Sequence, residues 1–202
     1  MDLETYLARH AGQDDVLRQV ERETNELPMA AMLTRPDQAA LLTLLVRVIN
    51  ARTAIEIGTF TGYSAICIAR GLPADGRLTI FEVSEEYAAI ARRNLEAAGQ
   101  IDKVEFVLGP ANLDHLDVVD FAYVDADKDG YPGYYEALVP RMRPGGVIVL
   151  DNMLLGKRVL EEGNERGERM TALNERIAAD ERVESVLLGL HDGLTIARVI
   201  GS

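Results

Sequence analysis

The sequence predicts a doubly wound α/β fold: one open, mostly parallel sheet of seven strands, helices on both faces and a helical extension at the amino terminus. Three observations carry this expectation. Five short β-branched runs alternate with helically spaced apolar segments, the β-α-β-α pattern of a parallel sheet covered on both sides. The first run passes directly into a glycine-bounded turn and an apolar helix, residues 65–69. Two further runs close the chain and are joined only by residues 189–193. A parallel crossover needs about a dozen residues, so this link demands a hairpin and one strand near the sheet edge runs antiparallel.

Residues 1–50 read as a helical lead-in, because Leu41, Leu42, Leu44, Leu45, Val48 and Ile49 recur at helical spacing after a Pro36-Asp37 start. Strands are expected at 53–57, 78–82, 104–108, 121–124 and 147–150, with Gly-bounded helical stretches between them, and then at 183–188 and 194–199. Of the 202 residues 48% are hydrophobic, and no linker, repeat or biased segment interrupts them. Residues 1–202 are therefore expected to be a single domain, with 51–202 as its α/β core, large enough to bury about 70% of its unfolded surface.

Composition narrows the function. Met1-Asp2-Leu3-Glu4-Thr5 has no basic run followed by an apolar core, and no window approaches the roughly 18 apolar residues of a membrane span, so a cytoplasmic protein with no membrane partner is expected. Cys67 is the only cysteine; it excludes an internal disulfide, a thiolate zinc cluster and an iron–sulfur site, and is expected to pack within a helix. His10, His115 and His191 stand far apart in sequence, so any metal should take oxygen ligands. With 33 acidic against 21 basic residues, the net charge of −12 repels a nucleic-acid backbone except at a local basic patch.

The first expected strand ends in Glu56-Ile57-Gly58-Thr59-Phe60-Thr61-Gly62-Tyr63-Ser64. Gly58 and Gly62 let the backbone turn tightly and approach a ligand, and the following helix offers unpaired N–H groups to an anion such as a carboxylate. The G-x-x-x-G spacing lacks the G-x-G-x-x-G of a dinucleotide site. An ordinary tight turn fits the same glycines. The second strand ends at Glu82, where a carboxylate can accept both hydroxyls of a ribose; the rival role is a surface carboxylate capping the helix that starts near Ser84-Glu85-Glu86. Gly109-Pro110-Ala111 after the third strand has side chains small enough for an adenine ring to lie on the backbone.

The fourth and fifth strands end in Tyr123-Val124-Asp125-Ala126-Asp127-Lys128 and Val149-Leu150-Asp151-Asn152. Neighbouring strands lie about 4.8 Å apart, so Asp125 and the Asp151-Asn152 pair would converge at one sheet edge. Two carboxylates and an amide form a hard oxygen half-shell with open positions, suited to Mg²⁺ and able to accept Mn²⁺ or Ca²⁺. The alternatives are a polar turn for Asp151-Asn152 and a helix cap for Asp125. Lys128, one of three lysines beside 18 arginines, could serve the same pocket as a base, or pair with Asp127 or Asp129 as an exposed cation.

Taken together, the chain from about Leu27 to Ile200 resembles the metal-dependent class I O-methyltransferases, the family of caffeoyl-coenzyme A and catechol O-methyltransferases. The likeness rests on Met32-Leu33-Thr34, the 56–64 turn, Gly109-Pro110-Ala111, Val124-Asp125-Ala126-Asp127-Lys128, Tyr131 with Tyr134 and Tyr135, Pro144-Gly145-Gly146, Asp151-Asn152 and His191-Asp192-Gly193-Leu194-Thr195. It implies a Rossmann-like fold and divalent-metal-dependent transfer of the methyl group of S-adenosylmethionine to one hydroxyl of a small phenolic, catechol-like vicinal diol. It further implies that Asp125, Asp151 and Asn152 bind the metal and that Lys128, with Asp125, is catalytic. The cofactor set becomes Thr34, Glu56, Gly58, Phe60, Gly62, Tyr63, Ser64, Glu82, Ala111 and Asp125, with Gly58, Ser64 and Asp125 at the methionine end, Glu82 at the ribose and Ala111 at the adenine. A homodimer is implied as well.

The chain departs from the family at three places. It has no tryptophan, where the family commonly carries one shortly after the Asp-Asn pair; residues 111–121 are short; and no lysine precedes Asn25 to meet a coenzyme A phosphate. A free phenolic diol is therefore expected ahead of a coenzyme A thioester. The rival functions are methylation of a hydroxylated transfer-RNA base, which a stripe formed by Arg35, Arg47, Arg52, Arg141, Arg143 and Arg158 would favour, and a non-catalytic nucleoside-binding protein.

Overall fold

The computed structural model describes residues 1–201, without the side chain of Glu4. It divides into two compact units, residues 1–111 and the remainder from Asn112 onward.

The first unit begins with three helices: α1 (Leu3–Arg9), α2 (Asp15–Asn25) and α3 (Pro36–Val48). Their starts follow from local chemistry. The side chains of Asp2 and Asp14 accept the otherwise orphaned Thr5 and Leu17 N–H groups, and Pro36 sits in the first turn of α3, where its missing donor costs nothing. Leu17, Val20 and Thr24 form the buried stripe of α2. On α3 the buried face is Ala39, Leu42 and Val46, so the apolar spacing overstates burial: Leu44 and Val48 are exposed.

Then come β1 (Thr53–Ile57), α4 (Tyr63–Gly71), β2 (Arg77–Glu82), α5 (Glu85–Ala97) and β3 (Val104–Leu108). β2 pairs in parallel with β1 and with β3. Cys67 is a free, buried thiol on α4, pushed up to about 12 by desolvation.

The second unit contains β4 (Val119–Val124), α6 (Tyr131–Leu138), β5 (Met142–Leu150), α7 (Glu165–Ala178), β6 (Val183–Leu188) and β7 (Leu194–Val199). β4 and β5 are parallel, whereas β7 runs antiparallel to both β5 and β6. The expected hairpin thus makes β7 the one reversed strand, next to the edge strand β6. The strand order of the seven-stranded sheet is β3-β2-β1-β4-β5-β7-β6.

Two expectations need correction. The link between β3 and β4 carries turns, not a helix: Asn112 Oδ1 accepts from Asp114 N at 3.0 Å, the local bond by which Asn diverts backbone from helix. The fifth strand also starts earlier than residue 147. Pro144-Gly145-Gly146 reads as a break, yet the ladder absorbs it by a register shift, from Val119↔Met142 directly to Phe121↔Val147. Beyond the shift the pairing is regular through Val124↔Leu150, so β4 and β5 end level with each other.

Candidate active site

In the first unit the turn after β1 is shaped by backbone. Gly58 and Gly62 have φ of 83° and 85°, conformations that favour glycine, and a Cβ at Gly62 would lie 3.0 Å from Ala91 of α5. Phe60 also has positive φ, at 51°, and its buried ring meets Tyr87 edge-on at 4.6 Å. Glu82 is buried and holds this turn: Oε2 accepts from Thr59 N and Phe60 N, both at 3.1 Å, while Oε1 accepts from Ser84 N at 3.0 Å. It is therefore no surface cap, since Ser84 itself caps α5 through Tyr87 N.

The remaining candidates of this unit fall into two groups. Ser64 is buried in the first turn of α4, and Glu56 is fully buried within β1. Thr34 is buried just before α3, and Ala111 lies half-buried after Gly109, whose N–H donates to Glu82 O at 2.9 Å. Tyr63 differs. Its hydroxyl is taken by Gln13 Nε2 at 2.6 Å, and desolvation raises its pKa, so only its backbone at the start of α4 remains for a ligand.

Partners invisible to sequence spacing fix the turn. Asn94 Nδ2 donates to Thr61 O at 2.9 Å, and the Thr24 and Thr61 hydroxyls meet at 2.8 Å, both buried. The signal was a polar residue inside a buried helical stripe, with no clue to its partner.

In the second unit the level ends of β4 and β5 set out the acidic residues. Asp151 N donates to Val124 O at 3.0 Å, extending the ladder one step and holding the segments that carry Asp125 and Asp151 side by side. Asp151 is 4% exposed; its Oδ2 accepts from Tyr123 Oη and its Oδ1 from Asn152 N, each at 2.6 Å. Asn152 adopts φ 56°, a left-handed conformation that asparagine tolerates well. Desolvation raises the Asp125 carboxyl above the usual carboxylate range; the Lys128 ammonium opposes this and the Asp151 charge adds to it.

Lys128 Nζ lies 3.0 Å from Asp125 Oδ1 and 2.7 Å from Tyr131 Oη. Its carboxylate partner is therefore Asp125, not Asp127 or Asp129. Asp127 is the residue that organises the turn into α6, accepting from Gly130 N at 2.8 Å and Tyr134 Oη at 2.7 Å. The fully buried Tyr131 hydroxyl also reaches Val124 O and Asp151 O, both at 3.0 Å, and burial together with the Asp125 charge raises its pKa. Tyr123 and Tyr131 thus complete the acidic cluster, a role that spacing did not reveal. A buried tyrosine must satisfy its hydroxyl, which is the one hint sequence offers. The His191-Asp192-Gly193 loop packs on the segment after β5, with Met153 N on Gly193 O at 3.0 Å and Gly156 N on Asp192 Oδ1 at 2.6 Å.

Comparison with known proteins bears on both regions. The O-methyltransferase family model matches residues 8–200. The chain belongs to the O-methyltransferase family. A probable caffeoyl-CoA O-methyltransferase of Arabidopsis thaliana is 36% identical over 203 residues, spanning 92% of this chain and 87% of that protein. A caffeoyl-CoA O-methyltransferase of Petroselinum crispum is 32% identical over 205 residues, spanning 93% and 85%. Among solved structures, an O-methyltransferase from Bacillus cereus in complex with SAH superposes with TM-score 0.89 at 33% identity over 98% of this chain and 96% of that one. TomG of Streptomyces achromogenes, in complex with SAM and involved in tomaymycin synthesis, gives 0.82 at 34%, over 94% and 91%. This O-methyltransferase is thus an S-adenosylmethionine-dependent enzyme with the Rossmann-like sheet of its relatives. Family membership removes the non-catalytic reading.

Two further observations concern the O-methyltransferase as a whole. No helix among the described residues is long and apolar enough to cross a membrane. Nor do three or more His, Cys, Asp or Glu side chains gather as a metal cluster among those residues, so an ion here would need the Asn152 amide beside the two carboxylates.

Proposed function

We propose that this O-methyltransferase methylates one hydroxyl of a small catechol-like vicinal diol with the help of a divalent cation, Mg²⁺ first and Mn²⁺ or Ca²⁺ as substitutes, bound by Asp125, Asp151 and Asn152. The level ending of β4 and β5, with Asp151 N on Val124 O at 3.0 Å, carries the reading, because it sets two carboxylates and an amide on adjacent backbone. The donor set fits a hard cation: all oxygen, partly dry, and anionic beyond what Lys128 alone offsets. The Asp151 carboxylate is oriented at this strand end by Tyr123 Oη and Asn152 N, which donate to its Oδ2 and Oδ1. The Asn152 side-chain amide makes no hydrogen bond among the described residues.

A divalent cation at this position supplies Lewis acidity and a fixed positive charge. Lys128 Nζ is the base in this reading, taking up the proton of the attacking hydroxyl, with Tyr131 Oη holding that nitrogen in place. The diol oxygen forms its bond to the methyl carbon as the carbon–sulfur bond breaks, and S-adenosylhomocysteine leaves. In the first unit the 58–64 turn and Ser64 receive the methionine end of the cofactor, Thr34, Glu56, Phe60 and Tyr63 frame it, Glu82 takes the ribose and Ala111 borders the adenine. Glu82 accepts from Thr59 N, Phe60 N and Ser84 N, which leaves one of its roughly four lone-pair sites, on Oε1, for a ribose hydroxyl.

The test is methyl transfer from labelled S-adenosylmethionine to a panel of catechols, with and without a chelator. Transfer lost on chelation and restored by Mg²⁺ is expected; transfer indifferent to chelation, or none to any catechol, rejects the reading. The RNA alternative gains no support. Arg35, Arg52, Arg141 and Arg143 each lie against a carboxylate, and Arg47 and Arg158 donate to backbone carbonyls.

A further inference from the structure

The first unit contains a cavity of about 230 Å³ between α3, α4 and the link that precedes α2. Tyr63, Cys67 and Arg70 line it from α4 at the i, i+4, i+7 spacing of one helix face. Ala40 and Arg47 line it from α3, Leu17 from α2 and Gln13 from the link. None of the proposed metal ligands lines it, and of the candidate cofactor residues only Tyr63 does.

Tyr63 is 2% exposed, and its hydroxyl is only half satisfied. Gln13 Nε2 has two hydrogens and donates both, to Tyr63 Oη at 2.6 Å and to Glu21 Oε2 at 2.8 Å. The Tyr63 oxygen is therefore an acceptor, closed to the cofactor, while its own proton has no acceptor among the described residues. Desolvation raises its pKa, so the proton stays in place. A buried tyrosine hydroxyl ordinarily donates to a partner. This one stands in the wall of an open space.

The other end of the same helix face is basic. Arg70 Nη2 pairs with Asp14 Oδ2 at 2.7 Å, but its Nε and Nη1 have no partner among the described residues. Arg47 gives Nη2 to Arg70 O at 3.2 Å and meets no carboxylate among those residues. Asp14 is not part of the wall, so the charged lining is positive in a chain whose net charge is −12. Tyr63 and Arg70 are seven residues apart, about 10 Å along the helix, and Leu17, Ala40 and Cys67 supply apolar wall.

We infer that this cavity is a ligand site for a small monocarboxylate, with its carboxylate on Arg47 and Arg70, its body against Leu17, Ala40 and Cys67, and a neutral oxygen at its far end accepting from Tyr63 Oη. Guanidinium forks match carboxylate oxygens. The far end is neutral because Glu21, which holds the other Gln13 hydrogen, and Asp14 repel a second anion beside Tyr63. The volume lies below the roughly 300–1,000 Å³ of drug-sized sites, which bounds the ligand to a small acid.

Calorimetry on the full chain, saturated with S-adenosylhomocysteine and treated with a chelator, tests this with three probes. They are 4-acetylbenzoate, 4-ethylbenzoate, which lacks the acceptor oxygen, and 4-acetylbenzamide, which lacks the charge. None carries a hydroxyl to methylate, so the outcome is independent of the diol reading. One 4-acetylbenzoate should bind per chain, and each of the others about tenfold more weakly, the size of one hydrogen-bonded contact. Arg47→Gln should shrink the preference over the amide and keep that over 4-ethylbenzoate; Tyr63→Phe should do the reverse. Ala40→Leu, which fills the cavity, should abolish binding of all three while unfolding stays cooperative. Equal binding of the three probes, binding that survives Ala40→Leu, or no 4-acetylbenzoate bound in the millimolar range overturns the inference.

Discussion

The turn after β1 and the paired ends of β4 and β5 are two different ways to build a polar site. The first is made of backbone: glycines at positive φ, N–H groups gathered by the single carboxylate of Glu82, and small residues where bulk would collide. The second is made of side chains: two carboxylates, an amide and a lysine, steadied by two buried tyrosine hydroxyls. A backbone site is lost when its shape is lost, so it depends on glycines and on the groups that brace it. A side-chain site is lost when its charge pattern is lost, while its backbone is ordinary β-sheet.

The largest effect should separate the two regions outright. Asp151→Ala should cut methyl transfer by far more than the roughly ten- to hundredfold typical of an outer-shell partner, with S-adenosylmethionine affinity, read by calorimetry, nearly intact. Substantial turnover in that variant would break the comparison. Next is Gly62→Val, which adds a Cβ 3.0 Å from Ala91 at φ +85°. The left-handed backbone and the overlap together cost about 3 kcal/mol, a Tm drop of about 6–12 °C at this chain length, with cofactor binding falling alongside. Glu82→Gln should lower cofactor affinity about tenfold by weakening the grip on Thr59 N and Phe60 N, leaving the metal concentration for half-maximal activity unchanged. The smallest effect is expected for Tyr123→Phe, which removes the 2.6 Å bond to Asp151 Oδ2. It should raise that metal concentration by about tenfold or less and spare cofactor affinity.

The same contrast explains what could be read from sequence. The glycine turn and the acidic strand ends were legible because each depends on residue types fixed at short spacing: Gly58 and Gly62, Asp125 and Lys128, Asp151 and Asn152. The seven strands and the reversed β7 were legible for the same reason, through alternation and a link too short for a crossover. What escaped was long-range satisfaction of polar groups. Tyr123 with Asp151, Asn94 with Thr61 and Gln13 with Tyr63 are joined only by the tertiary fold. The early start of β5 was hidden because Pro144-Gly145-Gly146 looks like a break until the register shift in β4 accommodates it.

The buried hydroxyl pair Thr24 and Thr61 joins α2 to the glycine turn. Helix α2 is thus a strut for this turn as well as a partner of α4 and α5. Anyone shortening this enzyme to its α/β core would be removing part of the scaffolding that braces the turn after β1.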